Sequence, residues 1–172
     1  MVGHGDAHNG NVFLEQDCLI YFDPAFAGRH SALLDLTKPL FHNVFATWMY
    51  FPEAVAEKLN ISWQLEQGVI AVTHDFQPIP ERVQTLQSKL QLVLKPLLQQ
   101  LKSQGNLDAD WRTYLKAALF CCPFLTMNLR DPAKFSPAIT LLGLALAVEM
   151  GSESGGRSLL DRELDKIEQE LN

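Results

Sequence analysis

Apolar positions follow two regimes along the chain. Up to about residue 36 they come in short runs broken by glycines and polar residues, and beyond that they recur at helical spacing. Residues 11–14 (NVFL) and 19–22 (LIYF) are short, rich in β-branched and aromatic side chains, and parted by Glu15-Gln16-Asp17, which predicts a β-hairpin. After Pro24 the pattern turns helical. Leu33, Leu34, Leu36, Leu40 and Phe41 recur at helix spacing, with Pro39 expected to interrupt or kink the stretch. The remainder reads as almost entirely helical. Residues 81–103 place Val83, Leu86, Leu90, Val93, Leu94, Leu97 and Leu101 on one face, with a kink expected at Pro96 and a stop at Gly105-Asn106. A helix capped by Asp108 or Asp110 should run to about Cys122 and be ended by Pro123. Ser136-Pro137 is an N-cap followed by a proline in the first turn. The helix it opens, to about Met150, is apolar all round and expected to be central. Residues 151–156 (GSESGG) form a break. Residues 158–171 form a charged amphipathic helix whose polar face is expected to be solvated. The fold class that follows is mainly α with a small β-hairpin (α+β). It forms a single domain over residues 1–172, with a hairpin segment 1–36 and a helical segment 37–172.

Composition narrows the function classes. The chain has 172 residues, 47% apolar and 20% charged, which excludes a disordered tail, a collagen-like fibre and a disulfide-stapled mini-protein. Its formal charge of −6, from 14 basic and 20 acidic residues, argues against nucleic acid as the main partner, because phosphate binding needs a basic surface. A small cationic substrate or a metal-bound nucleotide stays compatible. Three cysteines, Cys18, Cys121 and Cys122, are odd in number with two adjacent, so they form no disulfide framework and point to a reduced, cytoplasmic setting. The most apolar stretch, 138–148, is 11 residues long, well under the roughly 18 that a membrane span needs, and no membrane partner is expected. No basic-then-apolar leader is read at the start of the chain.

The candidate chemistry lies in His4-Gly5-Asp6-Ala7-His8-Asn9-Gly10-Asn11. Asp6 and Asn11 lie five residues apart with glycines around them, so one tight loop can converge both side chains on a point. Asp23 follows twelve residues after Asn11, across the predicted hairpin, which should return it to the same edge. Two carboxylates and an amide oxygen are hard donors suited to Mg²⁺. This is the logic of phosphoryl transfer: one aspartate takes or orients the proton of the attacking hydroxyl, while the asparagine and second aspartate hold the metal on the nucleotide phosphates. The order His4-Gly5-Asp6, four residues, Asn11, then Phe22-Asp23 parallels the protein-kinase pattern of H-R-D, four residues, N, then D-F-G.

HGDAHNGN resembles the H-G-D-x-H-x-x-N motif of the aminoglycoside phosphotransferase and choline kinase-like family, whose fold is protein-kinase-like. FDPAFAGRHSALLDL is similar to the stretch that follows it there. The resemblance is specific over residues 3–36 and general over the helical remainder. It implies the C-terminal lobe of a kinase-like fold, with Asp6 as catalytic base and Asn11 and Asp23 as Mg²⁺ ligands. It makes Asp35 an acid bracing the loop, His4 a loop-packing histidine and His8 a supporting residue. The implied reaction moves the γ-phosphoryl group of ATP, the co-substrate, to a hydroxyl of a small metabolite or antibiotic. The sequence departs from that pattern in having no G-x-G-x-x-G and no G-x-x-x-x-G-K-[ST], and Pro24-Ala25 replace the more usual residues after the metal-binding aspartate. The expectation is therefore a missing N-terminal nucleotide lobe, inactivity of the chain by itself, and self-association through the uncovered surface. Two other classes stay open. One is a non-catalytic binding module on the same fold. The other is a metal-dependent hydrolase using His4, Asp6 and His8.

Overall fold

The computed structural model describes residues 2–171. The predicted hairpin is present. Strands β2 (Val12–Glu15) and β3 (Cys18–Tyr21) pair antiparallel, with Val12 opposite Tyr21 and Glu15 opposite Cys18. A shorter ladder, too brief to leave a pattern in sequence, pairs β1 (Val2–Gly3) with β4 (Gly28–Arg29). The β2–β3 hairpin does not serve the core: Phe13 and Leu14 are 61% and 72% exposed.

The helical part begins with α1 (Leu34–Leu40), which keeps Pro39 inside it. It runs straight into a π-helical turn, Phe41–Phe45, closed by the Ala46 N–H donating to the Phe41 carbonyl at 3.0 Å. Two short helices follow, α2 (Thr47–Tyr50) and α3 (Pro52–Ala56). The chain then departs from the expectation of unbroken helix. Strands β5 (Ile61–Glu66) and β6 (Val69–His74) form a second antiparallel hairpin, longer than the first. Its turn residues Gln67 and Gly68 both have positive φ, 50° and 82°. Two successive left-handed residues match the right-handed twist of the flanking strands, and Gly68 supplies one at no steric cost. The alternation of Ile61, Trp63 and Leu65 before Gln67-Gly68 was the available signal.

The stretch read as one kinked helix is α4 (Pro80–Lys89), a second π-helical turn (Leu90–Leu94) and α5 (Lys95–Ser103). The disturbance expected at Pro96 takes the form of that wider turn, which gives the proline ring room against the carbonyl of the preceding turn. The extra residue rotates the face. The buried row is Leu86, Leu90, Leu94 and Leu98, whereas Val93 is 47% exposed.

Helix α6 (Trp111–Thr126) is not ended by Pro123 but contains it, and runs three residues further. Asp110 stands at its N-cap position without a side-chain cap bond, and Asp108 Oδ1 instead accepts from the Asp110 N–H at 2.9 Å. Helix α7 (Pro137–Gly151) opens as expected, with Ser136 Oγ accepting from the Ile139 N–H. It buries Ile139, Leu142 and Leu146, yet Val148 on its far side is 56% exposed, so it is central on one face only. Gly143 lets it approach α2, because a Cβ there would lie 2.6 Å from the Trp48 ring. Helix α8 (Leu159–Leu171) is amphipathic, but its polar face is not simply solvated: Asp161 is fully buried and Glu163 nearly so. The core fills the space between α1, the first π-turn, α4, α5, α6, α7 and α8. Of the paired thiols, Cys122 is buried and Cys121 exposed. Among the described residues no helix is long and apolar enough to cross a membrane.

Candidate functional site

The loop 4–11 is held by its own backbone. The Asp6 carbonyl accepts from the His8 N–H at 2.9 Å and from Asn11 Nδ2 at 3.0 Å, and the His8 carbonyl accepts from the Asn11 N–H at 2.8 Å. This closes the 3₁₀ turn Asn9–Asn11 and buries both Asp6 and Asn11. Gly5 is required at the bend. Its φ is 79°, and a Cβ there would lie 2.5 Å from the Phe26 carbonyl oxygen. Its N–H donates to Asp35 Oδ1 at 2.7 Å, so the first turn of α1 grips the loop. His30 Nε2 stands 3.7 Å from the same oxygen. His4 has both ring nitrogens occupied: Nε2 meets the Phe22 carbonyl at 3.0 Å and Nδ1 accepts from the Asp6 N–H at 3.3 Å.

Asp23 reaches the same edge through the hairpin. The Phe22 N–H donates to the Asn11 carbonyl at 3.1 Å, extending the β2–β3 ladder, and Asp23 follows with a φ of 54°. The Asp23 side chain is exposed, and its charge is felt at the His8 ring. The Asn11 side-chain oxygen and the Asp23 carboxylate take part in no hydrogen bond or ion pair among the described residues.

Several neighbours lie beyond the sequence motif. Lys38, one turn along α1 from Asp35, brings Nζ to 3.4 Å from Asp6 Oδ1 and lies over the Phe26 ring. The first π-turn delivers His42 and Asn43. Asn43 forms a reciprocal pair with Asn9, accepting from its N–H at 3.0 Å and donating to its Oδ1 at 2.9 Å. Arg82 of α4 donates to the carbonyls of His42 and Asn43, satisfying acceptors that the wide turn leaves free. The His42 ring lies 4.6 Å from the His8 ring, and its Nδ1 is 2.5 Å from Tyr50 Oη. Spacing gave no hint of this set. The one signal was polar His42-Asn43 inside the apolar run Leu40–Phe45.

Electrostatically the pocket disfavours positive histidines. Burial, reinforced by the charges of His8 and Lys38, pushes His42 down to about 4. Burial also holds His8 below its ordinary value despite Asp6 beside it. Burial and then Asp6 raise the Tyr50 hydroxyl. Two buried polar atoms at the centre, Asp6 Oδ1 and His42 Nε2, have no hydrogen-bond partner. An open cleft of about 490 Å³ reaches His42, lined also by residues that include His8, Asn9, Tyr50, Glu81 and Arg82. Among the described residues Asp6, His8 and His42 are grouped with ligand-type atoms within 4.8 Å of one another, and His4 is not among them. Comparison of the chain with protein-family models, with curated proteins and with solved structures finds no match.

Proposed function

We propose that the chain carries the catalytic loop of a small-molecule phosphotransferase similar to the aminoglycoside phosphotransferase and choline kinase-like family, and corresponds to the C-terminal lobe of that kinase-like fold. The reaction would move the γ-phosphoryl group of ATP to a hydroxyl of a small acceptor. The observation that carries this reading is the state of Asp6. Its backbone is fixed by three hydrogen bonds and its residue is buried, yet Oδ1 has no hydrogen-bond partner, only the Lys38 ion pair at 3.4 Å, and it stands 3.8 Å from Nε2 of His8, a residue that lines an open cleft. A carboxylate oxygen kept free in that way suits an incoming hydroxyl proton.

Mg²⁺ fits the residues present. Asn11 spends its side-chain nitrogen on the loop and keeps its oxygen, and Asp23 keeps its whole carboxylate, so two hard oxygen donors are uncommitted just before β2 and just after β3, at the open end of the hairpin. When bound, the ion would neutralise charge on the nucleotide phosphates. The chain's own part is positional. Asp6 Oδ1 accepts the acceptor's proton. Gly5, Asp35 and the Asn11–Asp6 bond hold that oxygen in place. The cleft beside His8 and Tyr50 receives the acceptor and limits water.

The test is a Mg²⁺-dependent ATP-binding titration of the wild-type chain, Asn11→Ala and Asp23→Ala, each extended upstream by the nucleotide lobe that the reading requires. Each substitution should weaken binding at least tenfold. Variants that bind as the wild type does, or a wild type with no Mg²⁺-dependent binding, would sink the reading. Binding without any turnover would instead leave a non-catalytic nucleotide-binding module.

A further inference from the structure

We propose that Asp6, His8 and His42 form a binding site for a divalent transition-metal ion of the zinc class, separate from the oxygen-donor pair Asn11 and Asp23. One carboxylate oxygen and two imidazole nitrogens make a mixed N/O donor set, which suits Zn²⁺ or Co²⁺ and not Mg²⁺. The candidate ligand atoms lie within 4.8 Å of one another. A tetrahedral zinc site with bonds of about 2.1 Å has edges of roughly 3.4 Å, close to the 3.8 Å between Asp6 Oδ1 and His8 Nε2.

A second observation points to a ligand at this place. His42 is 5% exposed, and its Nε2 is buried with no hydrogen-bond partner. Its other nitrogen, Nδ1, meets Tyr50 Oη at 2.5 Å. A metal-ligating histidine commonly donates its second ring N–H to an oxygen, which fixes the tautomer and turns the other lone pair toward the metal. With Nδ1–H donated to Tyr50, the Nε2 lone pair is left uncommitted, as Asp6 Oδ1 is apart from its Lys38 ion pair. The π-turn that presents His42 is pinned by Arg82 and by the Asn9–Asn43 pair, so the ligand is held before any ion arrives.

Binding has two local consequences. His8 Nδ1 accepts from the Gly10 N–H at 3.0 Å, which places the ring proton on Nε2. Metallation of Nε2 moves that proton to Nδ1 and breaks the Gly10 bond. Lys38 Nζ, 3.4 Å from Asp6 Oδ1, is repelled from the occupied carboxylate. One further consequence rests on the phosphotransferase reading: an ion on Asp6 removes the proton acceptor, so zinc-class ions would inhibit transfer. Binding itself does not depend on that reading.

The experiment titrates the full chain with Co²⁺, in a Cys18→Ser/Cys121→Ser background that removes the exposed thiols, and follows the visible absorption of the ion. Zn²⁺ affinity comes from competition. One ion per chain with a tetrahedral spectrum is expected, along with a shift of the Gly10 amide resonance. His42→Ala should weaken binding about 100-fold or more, and Tyr50→Phe about tenfold with the spectrum retained. Absence of saturable binding overturns the proposal, as does binding indifferent to both substitutions. If His42→Ala fails to fold, Tyr50→Phe decides, because that side chain is 47% exposed and tolerates the change. Failure here leaves the Mg²⁺–ATP titration of Asp23→Ala unaffected, so the two readings fall separately.

Discussion

Two aspartates, Asp6 and Asp161, are both buried, and their surroundings differ in kind. Asp161 lies between α6 and α8 and is fully partnered. One oxygen meets Lys116 Nζ and, at 3.4 Å, Arg112 Nη2, while the other accepts from the Ser154 N–H at 2.6 Å and from Ser154 Oγ. Arg112 in turn reaches Glu153, Asp165 and Glu168, so one guanidinium gathers the acidic stripe of α8. Burial alone would raise the Asp161 carboxyl. The hydrogen bonds from Lys116 and Ser154 outweigh it and hold the group down to about 2. Asp6 has an ion pair with Lys38 but no hydrogen bond to Oδ1, and the nearest ring nitrogen is His8 Nε2 at 3.8 Å. Buried polar groups are ordinarily satisfied. The saturated aspartate ties α6 to α8, and the unsaturated one is the residue on which the proposed function rests.

The largest test of this contrast is at Asp161. Asp161→Ala leaves Lys116, which is 1% exposed, with only Glu153 at 3.6 Å, and should destabilise the fold by about 3 kcal/mol in urea denaturation. Replacing both partners, Lys116→Met with Asp161→Leu, should recover most of that loss, since removing a buried pair is often neutral. A double variant as unstable as the single one would show that the surrounding Arg112 network, and not the pair, carries the effect.

The next effect is in pH. His42 is neutral in the fold, at about 4, against an unfolded value of 6.5. Between these values the unfolded chain binds the extra proton, so stability falls as pH drops. The loss from pH 7 to pH 4 should be about 3 kcal/mol. Asp161 acts in a lower window, with its stabilisation lost as pH falls from 3.8 toward 2. Urea denaturation at pH 7, 5 and 4 reads the upper step, and His42→Gln should remove most of it, leaving the smaller part that His8 contributes. An unchanged upper step in that variant would assign it to another group.

The smallest stability change is expected at Asp6. Asp6→Asn should alter the folding free energy by no more than about 1 kcal/mol, because Oδ1 has little to lose. Joined to the nucleotide lobe that the phosphotransferase reading requires, the same variant should lower phosphoryl transfer at least ~100-fold. A variant that unfolds as Asp161→Ala does would erase the distinction between the two aspartates.

Reading the chain without its structure found the first hairpin, the helical character beyond it and the Ser136 cap, because those depend on neighbours a few residues apart. It missed the β5–β6 hairpin, where the alternation of Ile61, Trp63 and Leu65 was outvoted by the helical segments on either side. Pro123 reads in sequence as a helix end, yet a proline removes only one hydrogen bond and α6 is held by packing on α7. At Pro96 the wider π-turn absorbed the expected kink and moved the buried row to Leu98. At the site, Asp6, Asn11 and Asp23 were legible as one motif. Lys38, His42, Tyr50 and Arg82 were not, since each comes from a helix or turn whose docking no local pattern encodes.

The sequence by itself determined the loop: where glycine is needed, which residues form the hairpin, and which carboxylates and amide fall on its edge. Those are set by backbone sterics and hydrogen bonds between residues close along the chain. The tertiary structure alone decided which polar groups become partners. It joined Lys116 to Asp161 across 45 positions and brought His42 against His8 across 34. The physical reason is that burial and partnership arise from helices packing on one another, and a side chain's neighbours across that packing leave no periodicity in its own segment.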